Sequence, residues 1–140
     1  MKESHDLGAL IGRVLLVLIF VMSGLSKITG FGGTAGYMGS AGIPQNLVVP
    51  GLILSILVEF GCGLLILIGY KTRLAALLVF LWLIPVTLIF HFLPSRHQTG
   101  MEAMVNMIMY MKNLSMMGGL LLVASLGAGA YSVDGSGRTA

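Results

Sequence analysis

Apolar residues in this chain neither alternate nor keep to one helical stripe; they run together in four long blocks separated by short polar breaks. The blocks cover roughly residues 8–29, 47–69, 74–93 and 104–126. Each reaches the ~20 residues that carry an α-helix, at about 1.5 Å per residue, across a hydrocarbon layer about 30 Å thick. The pattern predicts an all-α membrane protein with four transmembrane helices. The connection GYKTR is short enough to make the second and third helices antiparallel neighbours. The expected architecture is an up-down-up-down bundle forming a single domain over residues 1–140. A polar tail at about 131–140 is expected to be disordered at its end.

Composition sharpens this reading. Apolar types make up 56% of the chain and charged types 9%, with a mean hydropathy of +0.97. A soluble domain carries about 25% charged residues, so most of this surface must face lipid. The eight basic residues are scattered through or beside the apolar blocks, which is no footprint for nucleic acid. One cysteine, Cys62, excludes a disulfide within the chain, a CxxC redox pair and a cysteine-rich metal site.

The first block, with Arg13 ahead of VLLVLIFVMSGL, has the charge and length of a signal peptide. Against that, Glu3 and Asp6 precede it, no A-x-A site follows, and Lys27 closes it, so it is read as a span. Lys2, Arg13, Lys71, Arg73 and Arg138 fall on one side of the membrane. Lys27 and Arg96 fall on the other, with Lys112 if the start of the fourth block is counted. The positive-inside rule then places both termini in the cytoplasm.

The loop FGGTAGYMGSAGIPQN has glycine at 30, 33, 36, 39 and 42 and no charge from 28 to 58. Phe31, Tyr37 and Met38 suggest a short segment at the membrane interface, ended by Gly42 and Pro44. A glycine-rich turn with an accidental period of three is the other reading. Pro85 removes a backbone donor and frees the Leu81 carbonyl, which predicts a kink.

Charge inside the blocks is the main candidate chemistry. A charged residue at a helix centre costs about 2.5–3.5 kcal/mol on insertion scales. Glu59 stands 12 residues from one end of its block and 10 from the other, about 18 and 15 Å deep, too far to reach the interface. Lys112 is about 12 Å deep and Arg13 about 7.5 Å. Lys112 is the first expected partner of Glu59 and Arg13 the second. Gly61, Cys62 and Gly63 beside Glu59, and Gly118 and Gly119 below Lys112, allow close helix approach. Arg13, Phe20, Gly24 and Lys27, spaced by 7, 4 and 3, form a stripe expected to face the bundle interior. The candidate intramembrane cluster is therefore Arg13, Lys27, Glu59, Lys112 and Asn113. Such a pair either fixes helix register alone or lines a cavity for a substrate, a quinone head group or a proton.

His91 and His97 raise a metal or haem ligand, but only His91 is carried by a span, and a bis-histidine haem needs a second such residue. An interfacial histidine paired with solvent or backbone is preferred, and no metal site is assigned. Seven of the ten methionines lie between 101 and 117, and Met104, Met107 and Met111 share a helical face. Thioethers bind Cu(I), yet they also fill irregular apolar space, and packing is the preferred reading. Asn106, Tyr110 and Asn113 form an opposite, polar line suited to hydrogen bonds between helices.

Taken together, GRVLLVLIFVMSGLSKITGF, AGYMGSAGIP, LVEFGCGLLILIGYKTRLAA, IFHF and MKNLSMMGGLLL resemble the DoxX family of small bacterial membrane proteins, over most of residues 10 to 125. The resemblance implies a four-helix bundle in the bacterial inner membrane. Carried over by position, the family's marked polar residues would be Arg13, Ser23, Lys27, Glu59, Arg73, His91, Lys112 and Asn113. It also implies a redox association. Members resemble subunits of thiosulfate:quinone oxidoreductase, or act in a membrane complex with superoxide dismutase and a sulfurtransferase.

Three functions follow as expectations. The first is an accessory or quinone-interacting subunit of a membrane thiol/quinone redox system. It would have no covalently bound cofactor; quinone is a possible ligand, and the electron carrier would be the quinone itself or belong to a redox partner protein. The second is a small proton- or solute-handling carrier, for which so narrow a bundle implies a homo-oligomer. The third is a non-catalytic membrane scaffold.

Overall fold

A computed structural model describes the backbone of residues 2–136 and the side chains of residues 6–135. Arg138, the side chain of Lys2 and the end of the polar tail, all used in the sequence reading, lie outside these. The described chain is helical, with α1 over Lys2–Thr29, α2 over Phe31–Ser40, α3 over Gln45–Ile68, α4 over Thr72–His97, α5 over Gly100–Leu126 and α6 over Val133–Ser136. Four segments are long and apolar enough to cross a membrane: Asp6–Thr29 within α1, and the whole of α3, α4 and α5. The four expected blocks are all there, with ends displaced by a few residues.

α1 packs on α3, α3 on α4, and α4 most extensively on α5, while α5 touches α1 more lightly. The core where they meet holds Val17, Phe20, Cys62, Ile66, Ala75, Ala76, Val79, Leu83 and Leu120. Leucines at 15, 57, 122 and 126 stand outward and are more than half exposed, as a lipid-facing surface requires. Lipid tails are as apolar as leucine, so close packing and polar contacts decide how such helices meet. At Gly24 a Cβ would lie 2.5 Å from the Phe60 Cβ, and at Gly63 it would lie 3.1 Å from Val21 Cγ2. These two glycines are the near-contact points of α1 and α3. Gly61 and Gly118 meet nothing within 4 Å, so the close approach expected of them is not made.

Two irregularities were not foreseen. Leu57–Cys62 in α3 and Leu88–Phe92 in α4 are π-helical turns. An extra residue in a turn rotates the side chains beyond it by about 100°, and such turns recur at functional sites. Pro85, with no N–H to offer, precedes the second one, and the helix continues through it. The glycine-rich loop resolves to a helix, α2, which packs against α3. Its exit is a turn at Gly42, whose φ of 90° suits glycine.

The polar tail is ordered as far as it is described. The chain turns at Gly127 and Gly129, and the Asp134 carboxylate accepts the N–H groups of Lys71 and Thr72 at 2.9 and 2.8 Å. The Asp134 N–H in turn donates to the Gly69 carbonyl at 2.8 Å. Asp134 thereby caps the start of α4 from another part of the chain. Of the Met-rich stretch, Met116 and Met117 pack against the core, as preferred above, while Met104, Met107 and Met111 stand exposed.

Candidate functional site: an ion pair beneath an apolar cavity

Glu59 sits in the first π-turn and is 4% exposed. Its ionic partner is Lys27 of α1, which meets Oε2. Ser23, one turn before Lys27, donates to the same oxygen at 2.8 Å, and Lys27 also donates to Ser23 Oγ at 2.9 Å. Ser55, one turn before Glu59, donates to Oε1 at 2.9 Å. Both carboxylate oxygens are thus answered, by residues from two helices held together at Gly24 and Gly63.

This corrects both expected partners. Lys112 lies on α5, diagonal to α3, and helix axes across a square bundle are about 13 Å apart when neighbours are 8–10 Å apart. Its ammonium instead donates to Met109 Sδ at 3.3 Å. Arg13 is 14 residues from Lys27 along α1, about 21 Å away at helical rise. It donates to the carbonyls of Ala128 and, at 2.7 Å, Tyr131. The stripe of Arg13, Phe20, Gly24 and Lys27 does face inward, with the first three buried. Its two charges serve opposite ends of the bundle.

Above the ion pair a cavity of about 340 Å³ opens between α2, α3 and α4. Lys27, Ser55 and Glu59 line it, with Tyr37 and Met38 from α2 and Trp82, Phe90 and His91 from α4. The Tyr37 and Phe90 rings stack at 5.8 Å and 29°. Trp82 Nε1 is a buried donor without a partner. A buried N–H left unmade is costly, and the Trp82 side chain that carries it belongs to the cavity wall.

His91 is held in the second π-turn with Nδ1 3.3 Å from Asn106 Oδ1, and Asn106 Nδ2 donates to Gln98 Oε1 at 2.6 Å. Because the Asn106 amide nitrogen is engaged with Gln98, its oxygen faces His91. In this arrangement His91 Nδ1 carries the proton and Nε2 is left as an acceptor. The partner is a side chain on α5, not the solvent or backbone group expected. His97 is exposed, and no group of three His, Cys, Asp or Glu able to hold a metal occurs among the described residues.

The remaining candidates separate. Asn113 donates to Thr87 Oγ1 at 3.0 Å, tying α5 to α4. The Tyr110 ring lies against Phe92 with centroids 5.2 Å apart. Arg73 reaches the Leu126 carbonyl at 3.4 Å, at the Arg13 end. Of the five-residue cluster read from the sequence, only Lys27 and Glu59 come together. Ser55, Tyr37, Trp82 and Gln98 were missed. Ser55 had a signal, four residues before Glu59, and Trp82 is the single tryptophan, three residues before Pro85.

The DoxX family model matches residues 8–92. Two Escherichia coli (strain K12) proteins are similar along nearly the whole chain. Inner membrane protein YqjF is 42% identical over 96% of this chain and 95% of its own. Inner membrane protein YphA is 37% identical over 89% and 86%. A Bacillus subtilis (strain 168) protein, CatD, whose name proposes an oxidoreductase, is 37% identical over 60% of each chain. No solved structure matches. The four spans and the two inner-membrane relatives make this a multi-pass protein of the inner membrane.

Proposed function

The chain belongs to the DoxX family, and from that premise we propose that it is a quinone-interacting accessory subunit of a membrane redox system, with the head group in the cavity over Lys27 and Glu59. The observation that carries this reading is the pairing of an apolar, aromatic wall with a hydrogen-bonding floor in one cavity of about 340 Å³. Small-molecule sites begin at about 300 Å³ and are mostly apolar with a few placed polar groups. A quinone ring offers two carbonyl acceptors. The Lys27 ammonium is a donor on the cavity lining, Trp82 Nε1 lies buried behind that wall with its bond unmade and would serve once the indole shifts, and His91 Nε2 is an acceptor suited to a quinol hydroxyl. A hydrocarbon tail would leave through the opening into lipid.

The chain brings no second cysteine, so a thiol-oxidising step belongs to a partner protein, and the role here is to hold the head group and handle its protons. The name of the Bacillus subtilis relative leans the same way. Lys71 in the α3–α4 connection and Arg73 in the first turn of α4 support an orientation with both termini cytoplasmic.

Purification in mild detergent followed by solvent extraction and mass spectrometry tests the proposal. About one quinone per chain is expected, lost in a His91→Ala variant that folds normally and reduced in Trp82→Phe. A purified protein free of quinone, and unable to take it up from quinone-loaded liposomes, would end this reading.

A further inference from the structure

At the opposite end of the bundle from that cavity, α1 and α5 separate. They touch at Gly119, where a Cβ would press on Leu16 Cδ1 at 3.0 Å, but beside Gly12 a Cβ would meet nothing within 4 Å. The separation leaves a groove of about 610 Å³, walled by Leu15, Leu16, Leu122 and Val123 and reaching Arg13 and Gly127. We propose that this groove binds one anionic phospholipid, with an acyl chain along Gly12 and the phosphate beside Arg13 and Arg73.

The charges argue for the head group. Arg13 is 3% exposed, yet its two amino groups contact only the carbonyls of Ala128 and Tyr131, and its Nε is buried without a partner. Among the described residues it is in no ion pair. Asp134, whose field reaches it, has both oxygens engaged by the N–H groups of Lys71 and Thr72. Asp6 lies about two turns away along α1. Arg73 passes over Gly127, with Nε 3.3 Å from where a Cβ would stand, and Lys71 is exposed nearby. A buried guanidinium is expensive unless an anion answers it; Asp134 answers Arg13 only at a distance, and with Arg73 and Lys71 beside it this end keeps more cations than acids, which leaves room for a further anion.

The groove argues for the tail. A free phosphate would satisfy the cations but leave an apolar trough open. An amphiphile with a phosphate head and an aliphatic tail satisfies both. Basic pockets between spans are where anionic head groups bind.

The test is native mass spectrometry of the full chain released from membranes of equal phosphatidylglycerol and phosphatidylcholine with matched acyl chains. One retained phosphatidylglycerol is expected, at least five-fold above phosphatidylcholine. Gly12→Leu fills the groove while keeping the Arg13 charge and should cut retention about ten-fold. Arg73→Gln should remove most of the head-group preference while the fold persists, which matters because Arg13→Gln risks unfolding the C-terminal turn. Equal retention of the two lipids, or undiminished retention in Gly12→Leu, overturns the proposal. So does displacement of the lipid by millimolar inorganic phosphate, which would reduce the site to a simple anion contact.

Discussion

Gly24 of α1 lies so close to Phe60 of α3 that a Cβ there would stand 2.8 Å from the Phe60 backbone nitrogen. That contact, one turn from Lys27 and one residue from Glu59, fixes the height at which the two helices exchange charge. Gly24→Ala puts a methyl group against backbone that cannot rotate away. Overpacking of this kind costs about 1–3 kcal/mol, and it also moves Lys27 off Glu59. A lower melting temperature in detergent is expected, with loss of any ligand held in the cavity. An unchanged melt would mean that α1 and α3 do not meet here.

Removing the acid is expected to cost more. Glu59→Ala strands Lys27 and leaves Ser23 and Ser55 without their acceptor. Breaking a buried pair costs about 3–5 kcal/mol; Lys27, with 21% of its side chain exposed, can turn partly outward, so the lower end applies. Accumulation in the membrane should fall, and Lys27→Met in the same chain should recover much of it. Glu59→Gln should accumulate better than Glu59→Ala and still lose ligand. Normal expression and melting of Glu59→Ala would show that Lys27 needs no counterion.

Trp82→Phe separates a ligand site from a structural one. The Trp82 Nε1 donor has no partner within the protein, so its removal should leave the empty protein's stability nearly unchanged. A ligand that accepts from it would lose one hydrogen bond, about 0.5–1.5 kcal/mol, or roughly 2- to 12-fold in affinity. Asn106→Leu should weaken the same ligand by a similar factor, because His91 loses the partner that orients its ring. Binding titrations on both variants, with melting curves as controls, decide the matter.

Acid should loosen the far end of the bundle. Desolvation pushes the Asp134 carboxyl upward, but the Thr72 and Lys71 hydrogen bonds, together with the Arg13 charge, outweigh it and hold it below the ordinary carboxylate range. A group depressed in the folded state stabilises fully above its unfolded value. That contribution is lost as pH falls through the folded one, in the window below about pH 4. Asp134→Ala should remove it, costing about 0.5–2 kcal/mol as the loss of a helix cap, and should flatten the acid limb of stability against pH. Identical acid limbs for the two proteins would show that the cap contributes nothing.

The sequence by itself determined the four spans, because about twenty consecutive apolar residues and the breaks between them are local facts that the bilayer reads directly. It also determined that Glu59 must be answered from within the protein and that the Arg13–Lys27 stripe turns inward, since depth and helical period follow from counting. Only the tertiary structure decided which cation answers. Lys112, Arg13 and Lys27 all lie on apolar helices, and choosing among them needs the relative height and rotation of two spans. Those were set by glycine contacts at Gly24 and Gly63 and by the π-turn in α3, whose extra residue no hydropathy pattern records. The cavity likewise exists only because α2 folds onto α3 and brings Tyr37 to Phe90. Such contacts join residues far apart in the chain, where local preference carries no information.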